Sequence, residues 1–590
     1  MIRMITIIVL LAGVPASGWL AGVTVTVSDY NQLLFDDKII DSTYNVQRTA
    51  NPPELMQSVL EPVFPWESFC LSYFNVMEDA GVYRMWYGAY EAPSMARRIC
   101  YATSIDGLTW TRPDLGLVTF EGSTSNNILP VEFDDGGSIF IDPLAPADSR
   151  YKLLGNRLFQ YIYESSDGIN FQLVDIALLD MMADSHNLIF YDDRTGTYVA
   201  YLRSWNFLPD YDGGTVPNRT VSRLEVNDPT EPWPYNPIDS PFYRFGPERP
   251  PAISTELEMV LAADSLDPPN IDIYNPSVNK YSEAPDVYLA FPSIFEHYPP
   301  PPEGQFYSDG VLNVQLAVSR DGIAFERFRT PYIDFACFGD SVQQMYMGLG
   351  MLRIDDFYYQ YLLGYRQTHG NPEQFGRYYC FRQRVDGFVS LDAKAEPGEL
   401  LTKILLFEGN SLRLNYTTSG DGFLVVGMLS ANGDPVVGYS LKNADTLRGD
   451  NLAAIVSWQG RQYVGHLQKQ GIRLHLKMRN AKLYSLRFDQ NPAFDADLLD
   501  YVLHQNYPNP FNSGTSISFD LLKSGFAHLD IYNVLGQRVT TLIDGHLDVG
   551  VHSAEWNGRD DSGRAASTGI YFYRLSTAGR TEVKKMLLLR

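Results

Sequence analysis

Cysteine is scarce in this chain. Four cysteines, Cys70, Cys100, Cys337 and Cys380, occur among 590 residues. Domains that depend on disulfides for stability are much richer in cysteine, so a disulfide scaffold is excluded. The spacing also fits no zinc knuckle. Whether these thiols stay free or pair as disulfides after export is left open by the sequence.

Basic residues and several well-known catalytic motifs are also under-represented. Lys and Arg number 46 against 70 Asp and Glu, which gives a formal net charge of −24. Nucleic acids and anionic membrane surfaces attract clustered cations, so neither is expected as a partner. The chain has no P-loop, no G-x-G-x-x-G that opens a helix, no G-x-S-x-G elbow and no H-E-x-x-H. Phosphoryl transfer, nicotinamide chemistry and serine or zinc hydrolysis therefore lack support.

Long apolar runs are confined to the N-terminus. Residues 1–22 read MIRMITIIVLLAGVPASGWLAG, with Arg3 before an apolar stretch and small residues after it. This pattern predicts a cleaved secretory signal peptide. A membrane anchor is the alternative, although the apolar stretch is shorter than the ~20 residues of a membrane span. No later segment reaches that length, so we expect a mature chain without a membrane span that is secreted or held at the outer cell surface.

A turn pattern repeats through the first two thirds of the chain. Residues 104–110, 165–171 and 319–325 all read S-x-D-G, then an apolar residue, any residue and an aromatic one. Asp-Gly favours tight turns between antiparallel strands, so each segment is predicted to be a β-hairpin tip capped by its Asp. Asn227-Asp228, with Trp233 after it, is a degenerate fourth copy.

Tyrosine-rich strand pairs accompany these turns. Aromatic residues make up 13% of the chain, helical periodicity is nearly absent, and five such pairs occur between Leu33 and Gln383. Repeated four-stranded units of this kind are typical of a propeller. We therefore predict an all-β protein with a five-bladed β-propeller over residues 23–388. Unrelated hairpins within a sandwich are the alternative.

Further motifs carry a family resemblance. They are Trp66-Glu67, YRMWY at 83–87, CYATS at 100–104, TRPDLG at 111–116, FIDP at 140–143, DIYN at 272–275 and GYRQTHG at 364–370. With them, this region resembles the five-bladed propeller proteins around glycoside hydrolase families 32 and 43. The resemblance implies action on a carbohydrate at the mouth of a central funnel. The Asn-Asp-Pro-Asn and Glu-Cys motifs of family 32 are missing, so invertase-like chemistry is not expected.

The C-terminal third contains two further predicted domains. Short alternating strands over residues 389–488 predict a β-sandwich, similar to the one that follows the propeller in family 32 enzymes. An Asp-rich linker is predicted over 489–503. Residues 504–590, with NYPNPFN at 506–512 and GIYFYR at 569–574, resemble a type IX secretion sorting domain with an immunoglobulin-like sandwich. This resemblance implies the outer-membrane secretion machinery as a partner. A plain adhesive Ig-like module is the alternative.

We expect catalytic residues at the starts of the predicted innermost strands, because glycoside hydrolysis needs two carboxyl groups that flank the scissile bond. The candidates are Asp142, Asp272, Asp184 and Glu67, with Glu67 as a possible acid, and Asp340 precedes the fifth inner strand. Recurrence at similar blade positions favours a functional role. Capping or ion pairing is the alternative for each of them.

Candidate substrate-binding residues surround these carboxylates. They are Trp66, Tyr73, His186, Asn187, Tyr274, Asn275, Arg366 and His369. No cofactor is expected, although a bound Ca²⁺ is compatible with the many carboxylates. The predicted function is hydrolysis of an extracellular polysaccharide or oligosaccharide by funnel carboxylates. A non-catalytic glycan-binding protein and an adhesive cell-surface protein are the alternatives.

Overall fold

The computed structural model describes residues 23–132, 135–156, 160–179, 185–209, 215–234, 257–299, 309–339, 341–371, 373–494, 500–578 and 580–590. The predicted signal peptide lies outside these residues. The described part is all-β, as predicted, and contains no α-helix. Its helical elements are short 3-10 helices at Pro65–Glu67, Phe335–Phe338, Gly465–Leu467 and Pro492–Phe494. None of the helices in this part has the length and apolar character needed to cross a bilayer.

The chain divides into two compact units. One is Arg48–Ser390, here called the 48–390 unit, and the other contains Leu391–Arg590 with the N-terminal residues up to Gln47. The first three strands are β1 (Thr24–Val27), β2 (Gln32–Leu33) and β3 (Ile40–Tyr44). They pair with residues 404–407, 485–486 and 399–402, respectively. The prediction that the propeller begins at residue 23 is therefore wrong, because these strands bury Val27 and Ile40 in the core of the following domain.

The 48–390 unit is built from antiparallel strands. They are β4 (Gln47–Ala50), β5 (Glu54–Leu60), β6 (Cys70–Asp79), β7 (Val82–Glu91), β8 (Ala96–Ser104), β9 (Asp135–Ile141), β10 (Tyr151–Asn156), β11 (Gln160–Ser165), β12 (Gln172–Leu179), β13 (Leu188–Asp192), β14 (Thr197–Pro209), β15 (Thr215–Val226), β16 (Glu258–Leu261), β17 (Ile271–Asn275), β18 (Val278–Lys280), β19 (Tyr288–Ala290), β20 (Ser293–His297), β21 (Gly310–Ser319), β22 (Glu326–Ile333), β23 (Gln344–Met347), β24 (Leu352–Ile354), β25 (Phe357–Tyr365) and β26 (Gly376–Arg384).

Consecutive strands form consecutive meanders. Strands β6–β8, β9–β12 and β13–β16 form three separate sheets, and β17–β26 form a larger sheet. Strand β5 joins that last sheet by pairing with β26. A strand from the beginning of the unit therefore completes the sheet formed at its end.

The three S-x-D-G turns are capped as the sequence predicts. In the first turn, Ser104 Oγ donates to Asp106 Oδ1 at 2.9 Å. Asp106 Oδ1 also accepts from the amides of Leu108 and Thr109. The turns at 165–171 and 319–325 repeat these bonds. At residues 227–233, Asp228 caps the amide of Thr230 at 2.8 Å.

Each complete turn is also held by an aromatic residue of another strand group. Trp86 Nε1 donates to the carbonyl of Gly168 at 2.6 Å. The hydroxyl of Tyr201 donates to the carbonyl of Gly322 at 2.8 Å. The hydroxyl of Tyr361 donates to the carbonyl of Gly107 at 2.7 Å. The last of these contacts links β25, near the end of the unit, to the first turn.

The second unit contains a middle domain and a C-terminal module. The middle domain comprises β1–β3 with β27 (Val389–Ala393), β28 (Gly398–Thr402), β29 (Ile404–Phe407), β30 (Ser411–Ser430), β31 (Asp450–Ile455) and β32 (Ile472–Asp489). The long strands β30 and β32 pair antiparallel along most of their length, and their apolar faces form the core with Trp458 and Tyr439.

The C-terminal module is a seven-stranded sandwich, as its turns predict. Its strands are β33 (Tyr501–Leu503), β34 (Thr515–Leu521), β35 (Gly525–Asn533), β36 (Arg538–Leu547), β37 (Gly550–Trp556), β38 (Gly569–Ser576) and β39 (Thr581–Leu588). One sheet has the order β33-β34-β37 and the other β36-β35-β38-β39.

Candidate functional site

A cavity of about 410 Å³ lies in the 48–390 unit. Its lining comes from the start of β6, the β7–β8 hairpin, β17, β23, the end of β25 and the loop after it. The lining residues are Phe69, Cys70, Ser72, Tyr73, Tyr90, Met95, Tyr274, Gln344, Tyr346, Leu363, Tyr365, His369, Asn371 and Gln374. Among the described residues, no carboxylate lines this cavity.

One wall of the cavity is a continuous aromatic cluster. Tyr73 stacks on His186 with ring centroids 5.1 Å apart and meets Tyr346 edge-on at 5.9 Å. Tyr346 in turn packs edge-on against Tyr274 at 5.4 Å and Tyr365 at 5.9 Å. Mutual packing restricts the rotamers of all these rings. The wall is therefore a rigid surface with both ring faces and ring edges.

Polar groups lie next to this aromatic cluster. Gln344 donates to the carbonyl of Gln367 at 2.8 Å and to Gln374 Oε1 at 3.0 Å. Tyr346 donates its hydroxyl to Gln344 Oε1 at 2.8 Å. His369 Nε2 lies 3.1 Å from the hydroxyl of Tyr274. These amides and hydroxyls can donate and accept hydrogen bonds without placing a full charge at a ligand.

His186 lies behind Tyr73 and is completely buried. Neither ring nitrogen has a hydrogen-bond partner of good geometry among the described residues. Burial lowers the pKa of His186 to about 3, because a charged imidazole is disfavoured away from water. His186 is therefore neutral at physiological pH and supports the aromatic wall rather than donating a proton.

Asp272 lies on β17, two residues before Tyr274, and is 0% exposed. Its Oδ2 accepts from Arg219 Nη1 at 2.9 Å and lies 3.2 Å from His297 Nε2. Burial alone would raise the pKa of Asp272, but the Arg219 charge and the His297 contact give a net lowering. The Arg219 guanidinium also lies 5.1 Å from the ring centroid of Tyr274. Asp272 therefore stands beside the cavity wall as an ionised, paired carboxylate.

The predicted asparagines position backbone next to the cavity. Asn187 Oδ1 accepts from the amide of Arg203 at 2.8 Å, which joins the segment before β13 to β14. Asn275 Oδ1 accepts from the amide of Ser293 at 3.2 Å. Both side chains are buried. Their placement suits support of the wall more than direct contact with a ligand.

Glu67 and Trp66 do not line the cavity. The Glu67 carboxylate is 0% exposed and accepts from the amides of Val63 and Phe64 and from the hydroxyl of Tyr87. Arg112 Nε lies 3.2 Å from it. A carboxylate engaged in this way has no free acceptor for a substrate, so its placement favours a structural role over the predicted acid role.

Asp142 lies at the far end of its strand from the cavity. Its Oδ1 accepts from the hydroxyl of Tyr198 at 2.7 Å and from the amide of Leu144 at 3.0 Å. Equivalent contacts join Tyr151 to Asp79 and Tyr288 to Asp192. Asp142 therefore belongs to a repeated link between an Asp at one strand end and a Tyr of the next strand group.

The remaining predicted residues divide into three cases. Tyr73, Tyr274 and His369 line the cavity. Arg366 is exposed, lies against the ring of Phe375 and is not part of the lining. Asp184 and Asp340 lie outside the described residues.

Several lining residues were not anticipated from the sequence. They are Ser72, Tyr90, Gln344, Tyr346, Tyr365 and Gln374. Alternation along the residues that form β23 and β25 would have indicated which side chains share a face. It could not have shown which face meets the cavity.

A second cavity, of about 420 Å³, also lies in the 48–390 unit. It is lined by residues 75–78, 138–141, 188–191, 278–280 and 349–351, with Ser282 and Tyr358. Cys70, Ser72 and Tyr73 of β6 line the first cavity, and residues 75–78 of the same strand line the second. Across the described part of the chain, no group of three or more His, Cys, Asp or Glu is arranged to hold a metal ion.

Comparison with known proteins gives one family match. The family model of the FlgD Ig-like domain matches residues 506–580. No curated protein sequence matches the chain.

Several solved structures are similar at low identity. A glycosyl hydrolase from Bacteroides ovatus is 14% identical at a TM-score of 0.36, covering 56% of this chain and 93% of that one. A GH32 β-fructofuranosidase from Bombyx mori is 10% identical at 0.34, covering 74% and 94%. A family 43 arabinoxylan arabinofuranohydrolase from Bacillus subtilis is 10% identical at 0.35, covering 71% and 96%. At these values, the side chains of the cavity have to carry the functional argument.

Proposed function

We propose that this protein binds carbohydrate and that the 410 Å³ cavity holds a sugar unit. The observation that carries this proposal is the pairing of a rigid aromatic wall with a neutral edge of amides and hydroxyls. Sugars present apolar C–H faces, which pack on aromatic rings, and hydroxyl rims, which need both donors and acceptors. The cavity volume falls within the ~300–1,000 Å³ of small-molecule sites.

We further infer that the 48–390 unit is a five-bladed propeller. Five innermost segments line the 420 Å³ cavity. Aromatic-to-glycine hydrogen bonds join neighbouring strand groups, and the Tyr361–Gly107 bond joins the last group to the first. Pairing of β5 with β26 supports ring closure in the same way. Under this proposal, the sugar lies at one mouth of the central channel.

Hydrolysis of the bound glycan is the second candidate function, and Asp272 favours it. Its Oδ1 has no hydrogen-bond partner among the described residues, and the residue is two positions from Tyr274 on the same strand. Acid/base hydrolysis needs a second carboxyl group within ~10 Å. The sequence predicts Asp142, Asp184 and Glu67 as the other catalytic candidates, with Glu67 as a possible acid. Of these, Asp184 lies outside the described residues.

A polysaccharide panel separates the two functions. Residues 23–590 would be tested for retention on each immobilised glycan and for release of new reducing ends. We expect retention on at least one glycan and a loss of about tenfold in affinity for Tyr274→Ala, equivalent to ~1.4 kcal/mol. Tyr44→Ala is the matched control, because Tyr44 is 68% exposed on β3 of the other unit.

The outcomes lead to different conclusions. Retention without release makes the protein a binder. Release that disappears in Asp272→Asn while retention persists makes it a hydrolase. Equal retention of the wild type and Tyr274→Ala on every glycan would refute the assignment of this cavity.

We also propose that residues 504–590 direct export and that the mature protein is extracellular. The Ig-like family match over 506–580 supports a discrete C-terminal module, and the sequence motifs that resemble a type IX sorting domain lie within it. Deletion of residues 504–590 is expected to leave the protein inside the producing cell. Export of the deletion variant at the wild-type level would contradict this role.

A further inference from the structure

The C-terminal module contacts the middle domain through a buried charge. Asp520, on β34 of the module, is 0% exposed, and Arg461 of the middle domain is 5% exposed. Asp520 Oδ1 lies 3.6 Å from Arg461 Nε. Neither of these two atoms has a hydrogen bond among the described residues. The Asp520 carboxylate therefore faces the Arg461 guanidinium as its opposite charge.

Further side chains from both sides enclose this ion pair. From the module, His504 Nε2 lies 2.6 Å from Asp520 Oδ2. From the middle domain, the Arg461 guanidinium lies 5.2 Å from the ring centroid of Tyr439. Burial, and after it the negative charge of Asp520, raises the pKa of Tyr439 well above its ordinary value. The negative charge of the module's carboxylate therefore acts on a side chain inside the middle domain.

Apolar packing accompanies the charge contact. Val551, at the edge strand β37 of the module, packs against the core of the middle domain. The two parts also belong to the same compact unit of the chain. A module that moved freely on a linker would leave Arg461 and Asp520 hydrated, whereas here both are removed from water and paired.

We propose that the C-terminal module is docked on the middle domain through Arg461 and Asp520, and that this docking persists when the connecting segment is cut. Removing one partner of a buried ion pair leaves the other charge desolvated and uncompensated. The covalent connection contributes only a high local concentration of the module at the middle domain, of about millimolar order for a short linker. An export module held in this way would stay with the protein after cleavage of the chain before residue 500.

The test uses the full chain with a protease recognition sequence inserted between residues 494 and 500. After cleavage at about 100 μM, below the effective concentration of an intact linker, size-exclusion chromatography shows whether the module co-elutes. We expect co-elution for the wild type and at least tenfold weaker association for Arg461→Met. Arg479→Met is the matched control, because it removes a middle-domain surface ion pair with Asp421, 2.8 Å long.

The main substitution, Arg461→Met, lies in the middle domain, so it leaves the sequence and the folding of the C-terminal module unchanged. If Asp520→Asn unfolds the module, Arg461→Met still tests the contact. A double-mutant cycle of the two substitutions is expected to show non-additive effects, as for residues in direct contact. Immediate separation of the cleaved wild type, or unchanged association of Arg461→Met, would overturn the proposal.

Discussion

Substitution of Asp142 distinguishes a catalytic residue from a structural link. The carboxylate is 5% exposed and accepts from Tyr198 at 2.7 Å and from the amide of Leu144 at 3.0 Å. Lys152 Nζ lies 3.9 Å from it and is also paired with Glu164. We expect Asp142 variants to lose stability while glycan retention by the folded protein is unchanged.

The expected loss of stability is graded. Asp142→Asn keeps an oxygen for Tyr198 and Leu144 and loses only the charge, so the unfolding free energy should fall by about 1–2 kcal/mol. Asp142→Ala leaves a buried hydroxyl and a buried ammonium without this acceptor, which should cost about 3–5 kcal/mol. Tyr198→Phe removes one hydrogen bond to a charged group and should cost about 1.5–3 kcal/mol.

Urea unfolding followed by tryptophan fluorescence measures these differences as shifts of the transition midpoint. The 48–390 unit has to be followed by its own transition, because a protein with several domains need not unfold in one step. Glycan retention is measured on the same preparations. Wild-type stability together with complete loss of binding or hydrolysis in Asp142→Asn would refute the structural assignment and restore the catalytic one.

Three further outcomes are expected from the cavity and the turns. Gly322→Ala should destabilise the protein more than Gly196→Ala in urea unfolding. Both glycines have positive φ, but only at Gly322 would an added Cβ meet a side chain, a tyrosine hydroxyl at 2.5 Å. Equal losses of stability would contradict this close contact. Burial alone would raise the pKa of Asp167, but hydrogen bonds within its turn lower it to about 2. Its contribution to stability is therefore present above pH ~4 and lost as pH falls towards 2, so Asp167→Asn should flatten the acid limb of the stability profile, and an unchanged limb would argue against the cap. Tyr274→Phe removes the hydroxyl next to His369 but keeps the ring, so on a glycan array it should weaken retention less than Tyr274→Ala does; equal losses would show that the hydroxyl, and not the ring, carries binding.

Local turn chemistry was readable from the sequence. The S-x-D-G segments cap themselves through bonds within four residues, as at Ser104 and Asp106, so no distant part of the chain is needed to specify them. The all-β class and the seven-stranded C-terminal module were readable for the same reason. Alternation and turn residues are properties of short segments.

The roles of the carboxylates were not readable in this way. Glu67 and Asp142 lie next to residues that resemble funnel motifs, yet their partners Tyr87 and Tyr198 come from other strands, 20 and 56 residues away in sequence. Whether a carboxylate is free or saturated depends on such partners. For Glu67 and Asp142, these partners favour a structural role.

The cavity was predicted in part. Tyr73, Tyr274 and His369 were named from their positions at strand starts and in a glycine-flanked loop, and they do line it. Gln344, Tyr346 and Tyr365 were missed because alternation along a strand identifies two faces without showing which face meets the cavity.

The sequence by itself determined the elements of this protein: its strands, its self-capped turns, its discrete C-terminal module and its acidic surface. Only the tertiary structure decided which strands share a sheet, as when residues 24–44 joined the middle domain, and which polar groups are buried together. The physical reason is the range of the interactions. Turns and alternation depend on neighbours in sequence, whereas burial and pairing depend on neighbours in space, which chain closure brings together from distant positions.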